Sequence, residues 1–227
     1  MKDLKFIGTG GAYNLEFGGN SAFIKDNDKL LLIDCCEEAT AKLYKVNALA
    51  GIKEIIVAIT HTHSDHMAGL GTFIWYSNFL LNIKPKIISN TPTFENRLKD
   101  TLTLLGVDGK YYEFVDCKDI EIDGCVLEMI PTTHKVDMEA FGIMFTDDSG
   151  KYYYTGDTND IEFVKKLAFD NNIKKIYSEC SWESYGSHID YRELLGLPKD
   201  KFVLMHFEDV KLYDHMKSQG FVVANKE

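Results

Sequence analysis

His61-Thr62-His63-Ser64-Asp65-His66 is the stretch from which the rest of the chain can be read. It follows Glu54-Ile55-Ile56-Val57-Ala58-Ile59-Thr60, a β-branched run with the character of a buried strand. It precedes Met67-Ala68-Gly69-Leu70-Gly71, which opens an apolar helical pattern. Three imidazoles and a carboxylate therefore sit on a loop at a strand end. Side chains two apart in an extended loop point the same way, so His61 and His63 can grip one ion. Asp65 and His66 then face a neighbouring ion as the helix begins. Imidazole nitrogen with carboxylate oxygen is a donor set suited to borderline metals such as zinc.

Composition narrows the function classes. The chain has 227 residues with 45% hydrophobic content, enough for a sizeable core, and its length fits one large domain or two small ones. Its formal net charge is −10. Avid binding to long nucleic acid or to an anionic membrane needs clustered Lys and Arg, and the acidic total argues against both. No apolar run reaches membrane-spanning length. Five cysteines, two of them adjacent at Cys35-Cys36, do not suggest a disulfide framework. With no visible signal peptide, a cytoplasmic protein is expected.

Other segments give local expectations. Gly8-Thr9-Gly10-Gly11 lacks the Lys and spacing of a P-loop, so a tight turn is expected rather than a phosphate cradle. Residues 21–34 should form a hairpin turning at Asp26-Asn27-Asp28. Helical spacing runs from Glu37 to Leu49, with Gly51 after it. Leu70, Phe73, Ile74, Phe79 and Leu80 give a broad apolar helix face, expected to pack into the core, with a subunit interface as the other use. Thr91-Pro92 reads as N-cap and first helical residue. Asn159-Asp160-Ile161-Glu162 has the form of a capping box. The whole reads as mixed α and β.

The loop His61-Thr62-His63-Ser64-Asp65-His66 after a buried strand resembles the metallo-β-lactamase superfamily. The resemblance continues in order through Asp34 after Leu30-Leu31-Leu32-Ile33, His134 after Met129-Ile130-Pro131-Thr132-Thr133, Asp157 in Tyr154-Thr155-Gly156-Asp157-Thr158, and His206 after Phe202-Val203-Leu204-Met205. It covers nearly the whole chain and implies a single domain spanning 1–227. It implies an α+β fold, the four-layered αββα sandwich. It implies that His61, His63 and His134 hold one metal ion, that Asp65, His66 and His206 hold a second, and that Asp157 bridges both. Zinc is expected, with manganese or iron compatible with the same residue types. The oxygen-reducing di-iron relatives carry Glu where this chain has His63, which disfavours that branch. Asp34 is expected behind the ligands, orienting an imidazole or the loop.

Two adjacent ions acidify water and neutralise charge on the attacked group, which serves phosphodiesters, lactones and thioesters alike. The choice among these falls to Ser178-Glu179-Cys180-Ser181 and Ser187-His188-Ile189-Asp190. At these places the ribonuclease Z branch has a Glu and a His that protonate the departing oxygen, and an alkoxide leaving group needs such an acid. The catalytic set implied is His188, Glu179 and Asp65. This sequence lacks the long basic-tipped arm with which ribonuclease Z grips transfer RNA, since only residues 135–156 separate His134 from Asp157. What remains resembles short phosphodiesterases acting on small cyclic phosphodiesters or cyclic nucleotides. Phage enzymes that destroy pyrimidine cyclic-nucleotide signals are of this type, and so are bacterial cyclic-phosphate hydrolases. The competing expectations are a lactonase or thioesterase on the same metals and a non-catalytic nucleotide-binding module. The resemblance also implies a homodimer. Tyr13, Phe17 and Trp182 flank motif loops and could stack a base, although ordinary packing is the expectation for each.

Overall fold

The computed structural model describes residues 1–225 and contains two β-sheets whose strands follow chain order. The first sheet runs β1 (Lys5–Gly8), β2 (Ser21–Asp26), β3 (Lys29–Ile33), β4 (Glu54–Ala58), β5 (Lys86–Ile88) and β6 (Glu113–Val115). The second runs β7 (Glu121–Ile122), β8 (Cys125–Thr132), β9 (Ala140–Asp147), β10 (Gly150–Tyr154), β11 (Ile173–Glu179), β12 (Phe202–Met205) and β13 (Val222–Val223). Both begin antiparallel and turn parallel: β3, β4, β5 and β6 in the first sheet, β10 to β13 in the second. Parallel neighbours need crossovers. The first sheet's crossovers include α1 (Ala39–Lys45), α2 (Ser64–Met67), α3 (Leu70–Leu81) and α4 (Pro92–Leu104). Those of the second include α5 (Ile161–Ala168), α6 (Tyr191–Leu194) and α7 (Val210–Ser218).

The period-two rule shows how the layers stack. On the second sheet Leu127, Met129, Ile143, Phe145, Tyr154, Tyr177 and Met205 join a core shared with β1 to β5. Their alternates Met144, Tyr153, Ile176 and Leu204 face the other way, into a second core with Val164, Leu194 and Leu212 from α5, α6 and α7. The second sheet is thus buried on both faces at its centre, while Val126 and Glu128 of β8 are exposed. Phe73, Ile74, Phe94 and Leu98 cover the first sheet from outside, giving the expected αββα order.

Local chemistry sets the element ends. Thr91 accepts from Phe94 N–H at 3.0 Å with Pro92 next, as expected of an N-cap. At 159–162 the N-cap is Asp160, which accepts from Phe163 N–H at 3.0 Å; with Phe163 three residues on, this is a simple N-cap one residue later than expected and not a capping box. The helix expected over 37–49 is only Ala39–Lys45. Asn47 takes a left-handed backbone with φ 56°, which ends the helix before its apolar spacing runs out. On α3, Leu70, Phe73 and Ile74 are buried as expected, but Phe79 and Leu80 are exposed. No helix among the described residues is long and apolar enough to cross a membrane.

Candidate metal centre and active site

The named side chains come together where parallel strands of both sheets end. β3 delivers Asp34, β4 delivers Thr60 to His66, β10 delivers Asp157, β11 delivers Glu179 and β12 delivers His206. Parallel strands place successive loops at one edge, which is the usual position of a site in such sheets. His134 follows β8, and His188 comes from the loop between β11 and α6. Asp34 and His206 both have φ 57°, a left-handed backbone that non-glycine residues adopt at a cost. Such strain at two side chains of one centre is consistent with the fold over-determining their positions.

The donor atoms fall into two sets that share Asp157. His61, His63, His134 and Asp157 offer atoms within 4.8 Å of one another, and so do Asp65, His66, Asp157 and His206. In the first set His63 Nδ1 lies 2.9 Å from His61 Nε2 and 3.1 Å from His134 Nε2. In the second, His66 Nε2 is 3.3 Å from Asp65 Oδ2 and 3.3 Å from Asp157 Oδ1. His206 Nε2 is 3.5 Å from Asp65 Oδ2 and 3.3 Å from Asp157 Oδ2. Two donors each about 2.0–2.1 Å from one tetrahedral zinc stand about 3.3 Å apart, so these spacings fit an ion in each set.

Hydrogen bonding and charge agree with that fit. His66 Nε2 and Asp157 Oδ1 are buried without any hydrogen-bond partner, which is costly unless a cation takes them. His134 Nδ1 donates to the Ser187 carbonyl at 2.7 Å, and His66 Nδ1 donates to Asp34 Oδ2 at 2.8 Å. Each bond sets a ring proton on Nδ1, so that the neutral imidazole offers its Nε2 lone pair to its donor set. Burial pushes His61 well below the ordinary imidazole range, lowers His63, and brings His134 to about 4. These three are neutral, the form that binds metal. Burial opposes charge on His66 as well, but Asp157 and Asp34 outweigh it and raise its pKa. Burial would raise Asp65 and Asp157, yet their histidine partners hold both carboxyls below the usual range. This carboxylate-rich half calls for positive charge, which a divalent cation supplies.

Beside the two sets stands a third group. Glu179, His188 and His206 offer atoms within 4.8 Å of one another. His188 Nδ1 is 2.9 Å from Glu179 Oε2, and the His188 ring stacks on His206 at 5.6 Å and 22°. Glu179 is fully buried and its other oxygen accepts from Thr158 N–H. Burial works against a charged His188, but the Glu179 carboxylate outweighs it and lifts the imidazole to about 9. The result is a charged, oriented proton donor at the edge of the donor sets.

Every sequence-derived site residue lies in this cluster: His61, His63, Asp65, His66, His134, Asp157, His206, Glu179, His188 and Asp34. Thr60 was missed. Its hydroxyl stands 3.0 Å from both Asp34 oxygens and 3.1 Å from His61 Nδ1. A polar residue closing an apolar strand directly before the first ligand was the available signal. In the glycine loop, Gly10 N–H donates to Gly18 O and Gly11 N–H to Phe207 O, both at 2.9 Å. Those donors are spent on backbone, as a tight turn requires. A Cβ on Gly11 would come within 3.1 Å of the His206 ring, so glycine lets the loop close on that side chain. Phe17 packs edge-on against Tyr213 at 5.2 Å, and Trp182 packs against Tyr191 and His215 while its Nε1–H bonds Asp209. Tyr13 departs from the packing expectation: it is 96% exposed.

The fold is shared with known proteins. YhfI from Bacillus subtilis, a metallo-β-lactamase fold protein, superposes with a TM-score of 0.72 at 17% identity, over 97% of this chain and 94% of its own. The short form of human tRNase Z superposes with a TM-score of 0.66 at 18% identity, over 99% and 97%. These likenesses show the fold. In sequence, the anti-Pycsar protein Apyc1 of Paenibacillus harenae is 31% identical over 222 residues, covering 91% of this chain and 90% of that protein. The family model described as "Anti-Pycsar protein Apyc1" matches residues 2–226. With that match running almost end to end over a metallo-β-lactamase fold, the chain belongs to the anti-Pycsar protein Apyc1 family.

Proposed function

We propose that this protein opens a small cyclic nucleotide by hydrolysing one P–O bond, with His188 as the acid that protonates the leaving oxygen. The chain is a metal-dependent hydrolase of the phosphodiesterase type, and anti-Pycsar proteins degrade cyclic nucleotides. The observation that carries the reading is the 2.9 Å contact between His188 Nδ1 and Glu179 Oε2 beside the two donor sets.

His61, His63 and His134 would hold one divalent ion, Asp65, His66 and His206 the other, with Asp157 between them; zinc suits the donors. When bound, such ions make water acidic enough to attack phosphorus near neutral pH and neutralise charge on the phosphoryl oxygens. The protein's own part is proton supply and orientation. Glu179 accepts from Nδ1–H of His188, so the remaining proton sits on Nε2. As the P–O bond breaks, its electrons stay on the ribose oxygen, which takes that proton. Glu179 stabilises the imidazolium before transfer and keeps the ring from turning. A lactonase or thioesterase would give this pair no task, and a mere binding module would have no use for complete donor sets.

The five cysteines are all unpaired and buried, which fits a reducing, cytoplasmic compartment. Exposed Trp75, Phe79 and Leu80 on α3 offer an apolar face for a homodimer. The formal charge of −10 fits a small substrate better than a structured RNA.

The test is a hydrolysis screen of metal-loaded protein against cyclic mononucleotides, cyclic dinucleotides, bis(p-nitrophenyl) phosphate and a lactone panel. Turnover of a cyclic nucleotide is expected. Lactone hydrolysis with no phosphodiester turnover would transfer the assignment to a carboxylic hydrolase.

A further inference from the structure

We infer that Thr60 is a positioning residue through which the single carboxylate of Asp34 sets the tautomer of one ligand imidazole in each donor set. The inference rests on the assignment of those sets to metal ions. Asp34 and Thr60 are both fully buried. Asp34 Oδ2 accepts from His66 Nδ1–H at 2.8 Å, a direct link to the second set. Asp34 Oδ1 accepts from the Thr60 backbone N–H at 2.8 Å. The Thr60 hydroxyl lies 3.0 Å from each Asp34 oxygen and 3.1 Å from His61 Nδ1 in the first set.

One hydroxyl proton must choose between two acceptors, and the choice fixes His61. If the proton goes to His61 Nδ1, the imidazole carries its own proton on Nε2. That proton would point at His63 Nδ1, 2.9 Å away, and His61 could not bind metal. If the proton goes to Asp34, a charged acceptor and the stronger one, the hydroxyl oxygen accepts from His61 Nδ1–H. His61 Nε2 is then a bare lone pair facing the donor set. Asp34 dictates the second outcome, so the order runs from His61 Nδ1–H to Thr60 and from Thr60 O–H to Asp34.

The backbone holds this relay still. Asp34 leaves β3 in a left-handed conformation, with its N–H on Ala58 O at 2.8 Å, beside the end of β4. Thr60 O accepts from Phe141 N–H of β9 at 3.0 Å, tying the same residue to the second sheet. Every polar group of Thr60 is thus engaged, and none can turn away without leaving a buried partner unmet.

The relay makes the two members separable. Cobalt(II) titration of the metal-free protein, followed by its d–d absorption and by chelator competition, reads both sites without turnover. Thr60→Val removes the hydroxyl at nearly constant shape and keeps the backbone N–H. It should weaken one of the two binding phases by roughly ten- to a hundredfold and leave the other in place. Asp34→Asn should weaken both phases. Thr60→Ser, which keeps the hydroxyl, should restore wild-type binding, and this guards against a packing defect in the valine variant. Equal weakening of both phases by Thr60→Val, no weakening at all, or failure of serine to restore binding would each overturn the relay while leaving the metal assignment intact. A wild-type protein that binds only one cobalt would overturn the assignment of the two sets, and the relay with it.

Discussion

His188 Nδ1 lies 2.9 Å from Glu179 Oε2, and neither side chain is among the two sets of metal donors that share Asp157. The proposed acid role rests on this pair standing outside those two sets, although with His206 it forms a third group of closely spaced donors. The His188 ring stacks on His206 at 5.6 Å, which sets the pair at the edge of the second donor set.

Loss of that donor should be felt according to how basic the leaving oxygen is. His188→Ala should slow hydrolysis of a cyclic nucleotide by about a hundred- to ten-thousand-fold. A p-nitrophenyl ester, whose leaving group departs without a proton, should suffer far less. Metal content by elemental analysis should be unchanged. Equal slowing of both esters, or loss of metal, would move His188 out of the acid role.

The carboxylate partner gives a pH signature. The acid works in its protonated form, so the rate falls as pH rises through the His188 pKa. Glu179 raises that pKa against the effect of burial. Glu179→Gln removes the stabilising charge but keeps a hydrogen-bonding shape, so the alkaline fall should move to lower pH. A profile of kcat/KM against pH that is the same for both proteins would refute this coupling.

Asp157 is common to both donor sets, with Oδ1 3.3 Å from His66 Nε2 and Oδ2 3.3 Å from His206 Nε2. Asp157→Ala should take both ions, or leave them too mobile for catalysis, and the wild type should hold close to two per chain. Retention of two tightly bound ions in the variant, with activity, is the outcome that rules out bridging.

Substrate size should follow from what lies between His134 and Asp157. Those residues hold an exposed loop followed by the β9–β10 hairpin, with no basic arm. Cyclic nucleotides should be turned over faster than precursor transfer RNA in direct competition. Preferential processing of the RNA would reverse the size assignment.

Tyr13 stands in solvent two residues from Gly11, which closes on the His206 ring. An aromatic face in that position can stack a base, worth about 1–3 kcal/mol in comparable contacts. Tyr13→Ala should raise KM for a cyclic nucleotide with little change in kcat, and Tyr13→Phe should behave as wild type. An unchanged KM for the alanine variant would assign Tyr13 to bare surface.

The metal-binding core of this protein was legible where its chemistry is local. His61 to His66 lie within one turn of chain after a β-branched strand, so their side chains converge by backbone geometry alone. Asp160 and Thr91 announce their helices by the same short-range logic, with a one-residue slip at the first. The Glu37–Leu49 spacing overstated a helix because apolar periodicity records which face is buried, whereas the left-handed turn at Asn47 decides where the helix stops. His134, Asp157, Glu179, His188 and His206 were placed by likeness to a known family, since no spacing rule joins residues that far apart. Tertiary structure brings them together because both sheets run parallel at one edge, and loops after parallel strands share that edge. It also places the groups that bear on the ring protons. Whether His61 and His66 present a bare Nε2 depends on hydrogen bonds to Thr60 and Asp34, and those exist because β3 and β4 end side by side.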